Sequence, residues 1–350
     1  MKNLRKQTVI TLLLVCIISL TAFAGNKQRI GGAGAQELLI PVGARGISLG
    51  GANLIFASGS DALYWNPAGV SRLNHDVEAL FSHMSYFADI DVQYGALAVK
   101  AGDFGTIGMS IKSIGFGDIP VTTENFPDGT GEIYSPTFVN LSAVYSKLLT
   151  DRISFGVSAT LISEKILSTS ASGVGFTFGV QYYGLGIPEL NLAVAIKNVG
   201  PNMTFDGPNL LRTADATEGQ RGNQTYGVQA ASFQLPSAME IGLGYQRKLD
   251  EKNNILIGGN FQNNNSSDDV YAVGAEYNYD NTFFVRGSYV TAPQADNDPA
   301  DPNKSTYPYD YTVGAGLHYD VGGVDLSFDY AYRHLKLLES NNIITLRLGF

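Results

Sequence analysis

Residues 42–73 read VGARGISLGGANLIFASGSDALYWNPAGVSRL, and this stretch combines two properties that ordinary strands and linkers do not share. Its six glycines lower its propensity to form a strand. Its leucine, isoleucine, phenylalanine and tryptophan side chains supply apolar surface that a disordered linker does not carry. Compact burial inside a larger structure satisfies both properties. The stretch is therefore predicted to be a plug, ending in a turn at 66–69 in which Gly69 takes a positive φ.

The remainder of the chain, from Val77 to Phe350, alternates apolar and polar side chains with a period of two, which is typical of β-strands. One face of each segment carries Val, Leu, Ile, Phe and Tyr, and the other carries small polar residues such as Ser154, Gly156 and Ser158. The pattern predicts fourteen strands, at 77–86, 91–101, 104–115, 136–149, 152–166, 173–184, 189–199, 237–249, 254–265, 269–279, 282–292, 309–320, 324–335 and 342–350.

The connections between these strands differ in length in a regular way. Tight turns follow the even-numbered strands, and the three longest connections, 116–135, 200–236 and 293–308, follow odd-numbered strands. Membrane barrels with an even number of strands have short periplasmic turns and long external loops, whereas a soluble sandwich does not predict this alternation. We therefore expect an all-β fold, a transmembrane antiparallel β-barrel of fourteen strands, with its apolar face toward outer-membrane lipid and both termini periplasmic.

The first 24 residues have the form of a secretory signal peptide. Three basic residues precede an apolar run at 9–20, and Ala22-Phe23-Ala24 offers small residues for cleavage. Cleavage removes Cys16, the single cysteine, which excludes disulfide and thiol chemistry from the mature chain. It also takes the formal net charge from −9 to about −12, so nucleic acid is not an expected partner. The predicted organisation is a signal peptide at 1–24, a hatch at 25–76 and a barrel at 77–350.

Two motifs in the opening stretch, GARGISLGGA at 43–52 and DALYWNPAG at 61–69, resemble the N-terminal hatch of FadL-like outer-membrane barrels, and within that superfamily they are most similar to PorV/PorQ-like proteins. The resemblance covers about thirty residues. It implies the outer membrane of a Gram-negative-type bacterium. The hatch residues that it implies are Gly43, Arg45, Gly50, Gly51, Asp61, Trp65, Asn66, Pro67 and Gly69.

The resemblance implies two candidate functions. The first is a non-enzymatic component of protein secretion or cell-surface attachment, of the type IX secretion kind, whose long external loops dock exported proteins or a translocon partner. The alternative is a FadL-like transporter of long-chain fatty acids or other hydrophobic molecules. The first requires an exposed binding surface at the loops, and the second requires an apolar cavity between hatch and barrel.

The last predicted strand alternates Ile344, Leu346 and Leu348 before it ends on Phe350. This ending resembles the C-terminal signal that the barrel-assembly machinery reads in outer-membrane proteins. Phe350 is therefore predicted to be an assembly signal.

Sequence motifs for catalysis or metal binding are weaker than the motifs for the fold. Gly46-Ile47-Ser48-Leu49-Gly50 matches the G-x-S-x-G of nucleophile elbows, but no strand–turn–helix context surrounds it. The four histidines are dispersed along the chain, and Asp296, Asp298 and Asp301 lack the glycine and glutamate of a calcium hand. Asp325, Asp329 and Arg333 lie on one face of a strand and are expected to line the lumen. We expect no catalytic residues, no metal and no cofactor, and hence no enzyme.

Overall fold

A computed structural model describes residues 30–214, 224–293 and 307–350. The predicted signal peptide and the acidic residues Asp296, Asp298 and Asp301 lie outside the described residues. Within the described ranges, no helix is both long and apolar enough to cross a membrane.

Fourteen strands of the described chain form one closed antiparallel barrel, which confirms the predicted fold class. Each strand pairs with its neighbours in sequence, and the first pairs with the last, so the barrel wall has no free edge. The strands are β1 Val77–Ser85, β2 Asp91–Lys100, β3 Thr106–Gly115, β4 Thr137–Leu148, β5 Ile153–Ile166, β6 Thr169–Tyr183, β7 Leu190–Val199, β8 Ala238–Lys248, β9 Asn253–Asn264, β10 Val270–Tyr279, β11 Phe283–Thr291, β12 Tyr309–Val321, β13 Val324–Leu335 and β14 Asn341–Gly349.

The outward face of the wall is apolar. Side chains that alternate with buried positions along the strands are exposed there, as the sequence pattern predicts; they include Phe81, Met109, Leu161, Val273, Val285, Tyr289, Leu317 and Phe328. A continuous band of this kind would be a liability in water and is the surface that a barrel presents to lipid.

The two ends of the barrel differ. At one end, the loop mouth, β3, β7 and β11 end in long connections, and two short hairpins project from them: Ile119–Pro120 with Ile133–Tyr134, and Leu211–Ala214 with Gln224–Gly227. At the other end, the turn mouth, connections are short, as at Gly322-Gly323, where both residues have positive φ. The connection at 167–168 is also tight although it follows an odd-numbered strand, so the predicted alternation in loop length is not strict.

Residues 42–73, here called the inner segment, lie inside the barrel. They make contacts or hydrogen bonds with strands on all sides of the wall, among them β1, β4, β6, β9, β11 and β14, which a segment outside the ring cannot do. The inner segment holds two short α-helices, Ala44–Ser48 and Ala62–Trp65, and two 3-10 helices, Gly59–Asp61 and Pro67–Arg72. A further 3-10 helix, Gln36–Leu39, precedes it, and others lie at Gly102–Phe104 and Pro208–Leu210.

The two ends of the described chain lie at opposite mouths. The amide of Gly31 donates to the carbonyl of Ser266 at 3.1 Å, and Gly34 donates to Gln234 at 3.1 Å; both acceptors belong to connections at the loop mouth. The carbonyl of Phe350 accepts from Asp76 at 2.9 Å at the turn mouth. Residues 30–76 therefore run through the lumen from the loop mouth to the turn mouth, and the prediction that both termini are periplasmic concerns an N-terminus outside the described residues.

The course of residues 30–76 through the lumen predicts that two epitope tags are exposed on opposite sides of the membrane. An epitope inserted immediately before Ile30 should be accessible to antibody on intact cells, if the loop mouth faces outward, whereas the same epitope inserted between Asp250 and Glu251 should require permeabilisation. Heat-modifiable migration checks that both barrels are folded. Accessibility of both epitopes from the same side would contradict the threaded course.

Candidate functional site

The candidate site is the lumen, where the inner segment meets the wall at inward-facing glycines. A Cβ atom added to Gly156 would lie 2.2 Å from the backbone of Pro67, and one added to Gly274 would lie 2.6 Å from the carbonyl oxygen of Leu49. Backbone at such a distance leaves no room for a side chain. Further wall glycines that face the inner segment in the same way are Gly108, Gly179, Gly242, Gly244, Gly258 and Gly314.

Glycines within the inner segment serve the same close packing. A Cβ on Gly46 would lie 2.2 Å from the Trp65 ring, and a Cβ on Gly69 would lie 2.0 Å from the carbonyl oxygen of Ala57. Gly69 is not among the residues with positive φ, so the predicted left-handed turn is wrong there and close approach is the reason for glycine. Gly43, Gly50 and Gly51 do have positive φ.

Side chains of the wall satisfy several backbone groups of the inner segment that its own turns and helices leave open. The Gln181 amide donates to the carbonyls of Leu54 at 3.2 Å and Ala57 at 3.0 Å, and the Thr345 hydroxyl accepts from the amide of Ala44 at 2.8 Å. Ser146 donates to the Ala68 carbonyl at 3.0 Å and accepts from the Ser71 amide at 3.1 Å. Each such group would cost roughly 1 to 3 kcal/mol if buried unpaired, so these bonds hold the segment in one position.

Among the predicted hatch residues, the polar ones hold the segment together. Asn66 donates to the Leu54 carbonyl at 3.2 Å and accepts from the Ala68 amide at 3.2 Å, which caps the helix that starts at Pro67. The Trp65 indole donates to the Val42 carbonyl at 3.1 Å. Phe350, in contrast, lies at the end of the wall with its ring exposed.

A buried ionic network ties the inner segment to three strands. Arg45 lies 3.2 Å from Glu276 on β10, which is 2.5 Å from Arg286 on β11, and Arg286 is 2.5 Å from Asp329 on β13. Asp61 lies 3.9 Å from Arg347. The three arginines and three carboxylates balance, and removal of one buried member would leave a charge unpaired at a cost of about 3 to 5 kcal/mol.

The inner segment separates two chambers, and none of the described residues lines both. The loop-side chamber has a volume of about 550 Å³. One wall of it is apolar and aromatic, and its floor is formed by the rings of Tyr64 and Trp65, which meet edge to face with centroids 5.1 Å apart. The apolar wall consists of Ile40, Tyr86, Ile90, Tyr94, Ile114, Phe116 and Phe138.

Charged side chains enter the loop-side chamber at a few points. Lys197 pairs with Glu240 at 2.9 Å, and its ammonium lies 5.6 Å from the centre of the Trp65 ring. The Lys112 ammonium lies 4.9 Å from the Tyr64 ring, and the Arg333 guanidinium stacks 3.3 Å from the Tyr309 ring. These contacts leave the cations on aromatic faces rather than in water.

The turn-side chamber has a volume of about 570 Å³ and is lined mainly by charged and polar side chains. It contains the ionic network around Arg45 together with Arg72, whose guanidinium lies 3.8 Å from the Tyr183 ring. One carboxylate oxygen of Asp325 lies 2.8 Å from the His75 ring, and the other contacts His318. The lumen thus changes from partly apolar to polar across the inner segment.

The inward ladder predicted on β13 is distributed between these chambers. Arg333 lines the loop-side chamber, while Asp329 and Asp325 line the turn-side chamber, and each pairs with other strands rather than with its neighbours on the ladder. Ser48, the serine of the G-x-S-x-G match, is fully buried and donates to the Arg45 carbonyl at 2.8 Å.

Sequence reasoning missed the charged residues of the loop-side chamber and the apolar lining of β1–β3. Lys112, Lys197 and Glu240 occupy inward positions of predicted strands, and a lone charge on a small-residue face is a signal that could have singled them out. The inward Leu80, Met84 and Val92 pack on the inner segment, which the general expectation of a polar lumen did not include.

No family model matches the chain, and no curated protein matches it. Solved structures do. The CymD monoaromatic hydrocarbon channel aligns over 89% of this chain and 97% of its own, at 13% identity and a TM-score of 0.51. The Pseudomonas putida toluene transporter TodX aligns over 83% of this chain and 94% of its own, at 14% identity and a TM-score of 0.51. A Pseudomonas aeruginosa FadL homologue has 12% identity and a TM-score of 0.48. The first two show a shared fold.

The close glycine contacts predict that a single methyl group added at Gly156 disturbs the packing of the inner segment. Gly156→Ala should displace the Pro67 backbone and destabilise the packing by about 1 to 3 kcal/mol, as overpacking does. Amides of residues 66–71 should then exchange hydrogen for deuterium faster, while the barrel stays folded. Gly95→Ala is the matched control, because a Cβ there meets atoms only at ordinary distance, 3.5 Å. Equal exchange in both variants would contradict the close contact.

Proposed function

We propose that this protein is a non-enzymatic outer-membrane channel for hydrophobic small molecules, in which the inner segment acts as the plug. The observation that carries the proposal is the loop-side chamber, a cavity between the inner segment and the wall, one side of which is apolar and aromatic. A volume of about 550 Å³ lies within the roughly 300 to 1,000 Å³ range of small-molecule sites.

The lining of the chamber supports this class of ligand. Phe116 and Phe138 meet with ring centroids 4.8 Å apart, and Ile114 beside them is buried. Such surfaces favour apolar molecules by roughly 25 cal/mol per Å² of area removed from water. Two of the cations that enter the chamber already have partners, since Lys197 pairs with Glu240 and Arg333 rests on the Tyr309 ring.

The known barrels of similar fold support the same class. CymD and TodX are described as a monoaromatic hydrocarbon channel and a toluene transporter. Their likeness to this chain is in fold, so the inference to a hydrophobic ligand rests on the chamber. The orientation that accords with the lengths of the connections places the loop mouth outside the cell and the turn mouth in the periplasm. Phe350 at the turn mouth remains the proposed signal to the barrel-assembly machinery.

A binding titration tests the proposal. The protein in nanodiscs should take up a fluorescent hydrophobic amine such as N-phenylnaphthylamine saturably, and a Phe116→Ser and Phe138→Ser double variant should weaken binding at least tenfold because it removes two apolar walls. Phe126→Ser is the matched control, since Phe126 is exposed in the long connection after β3. Unchanged affinity in the double variant with a folded barrel would overturn the proposal.

A secretion or surface-attachment component is the second candidate. Its support is the exposed apolar surface of the projecting hairpins and nearby loops, at Phe126, Ile133, Leu211, Tyr226 and Val228. No comparison favours this finer assignment over the channel. Affinity isolation from solubilised outer membrane separates the two, because a docking component should recover exported proteins or export machinery and a channel should not.

A further inference from the structure

The last part of the chain to consider is residues 30–41, here called the strap, which lies across the loop-side chamber before the inner segment begins. Its amides bond to connections at the loop mouth, and Gln36, Glu37, Leu38, Ile40 and Pro41 line the chamber. Ala35 and Leu38 pack in a small core with Met203 and Leu235. The strap therefore limits access from the loop mouth to the chamber.

Lys112 fastens the strap to β3. Its ammonium donates to the carbonyl oxygens of Glu37 at 2.7 Å, Ile40 at 3.1 Å and Leu38 at 3.4 Å. The side chain is buried, with 4% of the residue exposed. An ammonium that is held by neutral carbonyls keeps its charge only if carboxylates nearby balance it.

One carboxyl group, that of Glu37, faces this lysine, and a second, that of Glu164, lies beside Glu37 on another part of the chain. Glu37 lies on the strap and Glu164 near the end of β5; each residue is 4% exposed, and the two side chains lie within hydrogen-bonding reach of each other beside Asn140. Neither oxygen of Glu37 accepts a hydrogen bond of good geometry from any described donor, and both amide atoms of Asn140 also lack one. Two ionised carboxylates only accept hydrogen bonds, so they cannot bond to each other.

The charges of this cluster are unbalanced by one. Two carboxylates and one ammonium leave a net charge of −1 in a buried place, and Lys197 on β7, the next cation, is already paired with Glu240. One bound proton removes the imbalance and supplies a donor between the two carboxyl groups, in addition to the Ala35 backbone amide that faces Glu164. Like charges at close range are the arrangement in which two carboxyl groups retain one proton between them.

We propose that Glu37 and Glu164 share one proton at neutral pH, and that this carboxyl pair latches the strap to the wall over the loop-side chamber. Loss of the proton places two carboxylates side by side, and their repulsion frees the strap. This inference rests on the proposed function in one respect only, since it assigns pH control to the access of molecules to the chamber that is proposed to bind them.

The direction of the pH dependence follows from burial. Burial raises the pKa of Glu37, against the lowering influence of a backbone hydrogen bond, Glu164, Lys112 and Asn140. A carboxyl group whose pKa is raised in the folded protein donates its hydrogen bond below that pKa. It loses this hydrogen bond as the pH rises past that value. The strap is accordingly held at neutral and acidic pH and released at alkaline pH, with the pair titrating as a unit.

Nitroxide mobility tests the latch without any ligand. The mature chain is predicted to have no cysteine, so Gln36→Cys, on an exposed position of the strap, carries a single spin label. In nanodiscs the mobile fraction of the label should rise severalfold between about pH 6 and pH 10, a range that includes the values reached by buried carboxyls.

The Glu164→Gln variant tests whether the carboxyl pair causes the change in label mobility. The amide of glutamine donates a hydrogen bond to Glu37 without titrating, so the label should stay immobile across the whole range; Glu37→Gln should do the same. Glu132→Gln, an exposed residue of the loop mouth, should keep the wild-type profile. A flat wild-type profile, or an unchanged transition in both glutamine variants with folded barrels, would overturn the latch. Because the label reports the strap itself, these outcomes are independent of whether the chamber binds hydrophobic molecules.

Discussion

A polypeptide buried in the lumen of a closed barrel must have its backbone amides and carbonyls satisfied there, and the rest of this structure depends on that constraint. The inner segment forms only short helices, so many of its backbone amides and carbonyls need partners outside those helices. Gln181, Ser146 and Thr345 bond to them, and wall glycines let the two backbones approach. The small, polar inner face of the wall is thus the complement of the segment that it encloses.

The same packing divides the lumen into two unlike chambers. The loop-side chamber is lined in part by aromatic rings, and the turn-side chamber is lined by paired charges around Arg45 and Asp325. In the proposed channel, an apolar molecule that enters from the loop mouth would meet favourable surface first and a polar barrier next. Under that proposal, the inner segment must move, or be bypassed, for passage, and the strap controls entry.

Much of this could be predicted from the sequence. Period-two alternation identifies the fourteen strands because lipid and lumen impose opposite chemistry on successive residues, as in Met239 and Glu240. The glycine-rich apolar stretch similarly predicts a buried segment. The course of residues 30–41 was not predictable, because it depends on hydrogen bonds to Ser266 and Gln234, which are far away in sequence. For the same reason the proposed pairing of Glu37 with Glu164 leaves no local pattern, and the sequence around Gly69 does not indicate whether positive φ or close approach requires glycine.

The central claim is that the inner segment closes the barrel, and ion conductance in planar bilayers tests it most directly. The wild-type protein should show little steady conductance, since charged and aromatic side chains fill the lumen between the chambers. Deletion of residues 30–72 should leave the hydrogen-bonded wall intact and give stable, open pores. A deletion variant that is folded, as judged by heat-modifiable migration, and yet as tight as the wild type would contradict the claim.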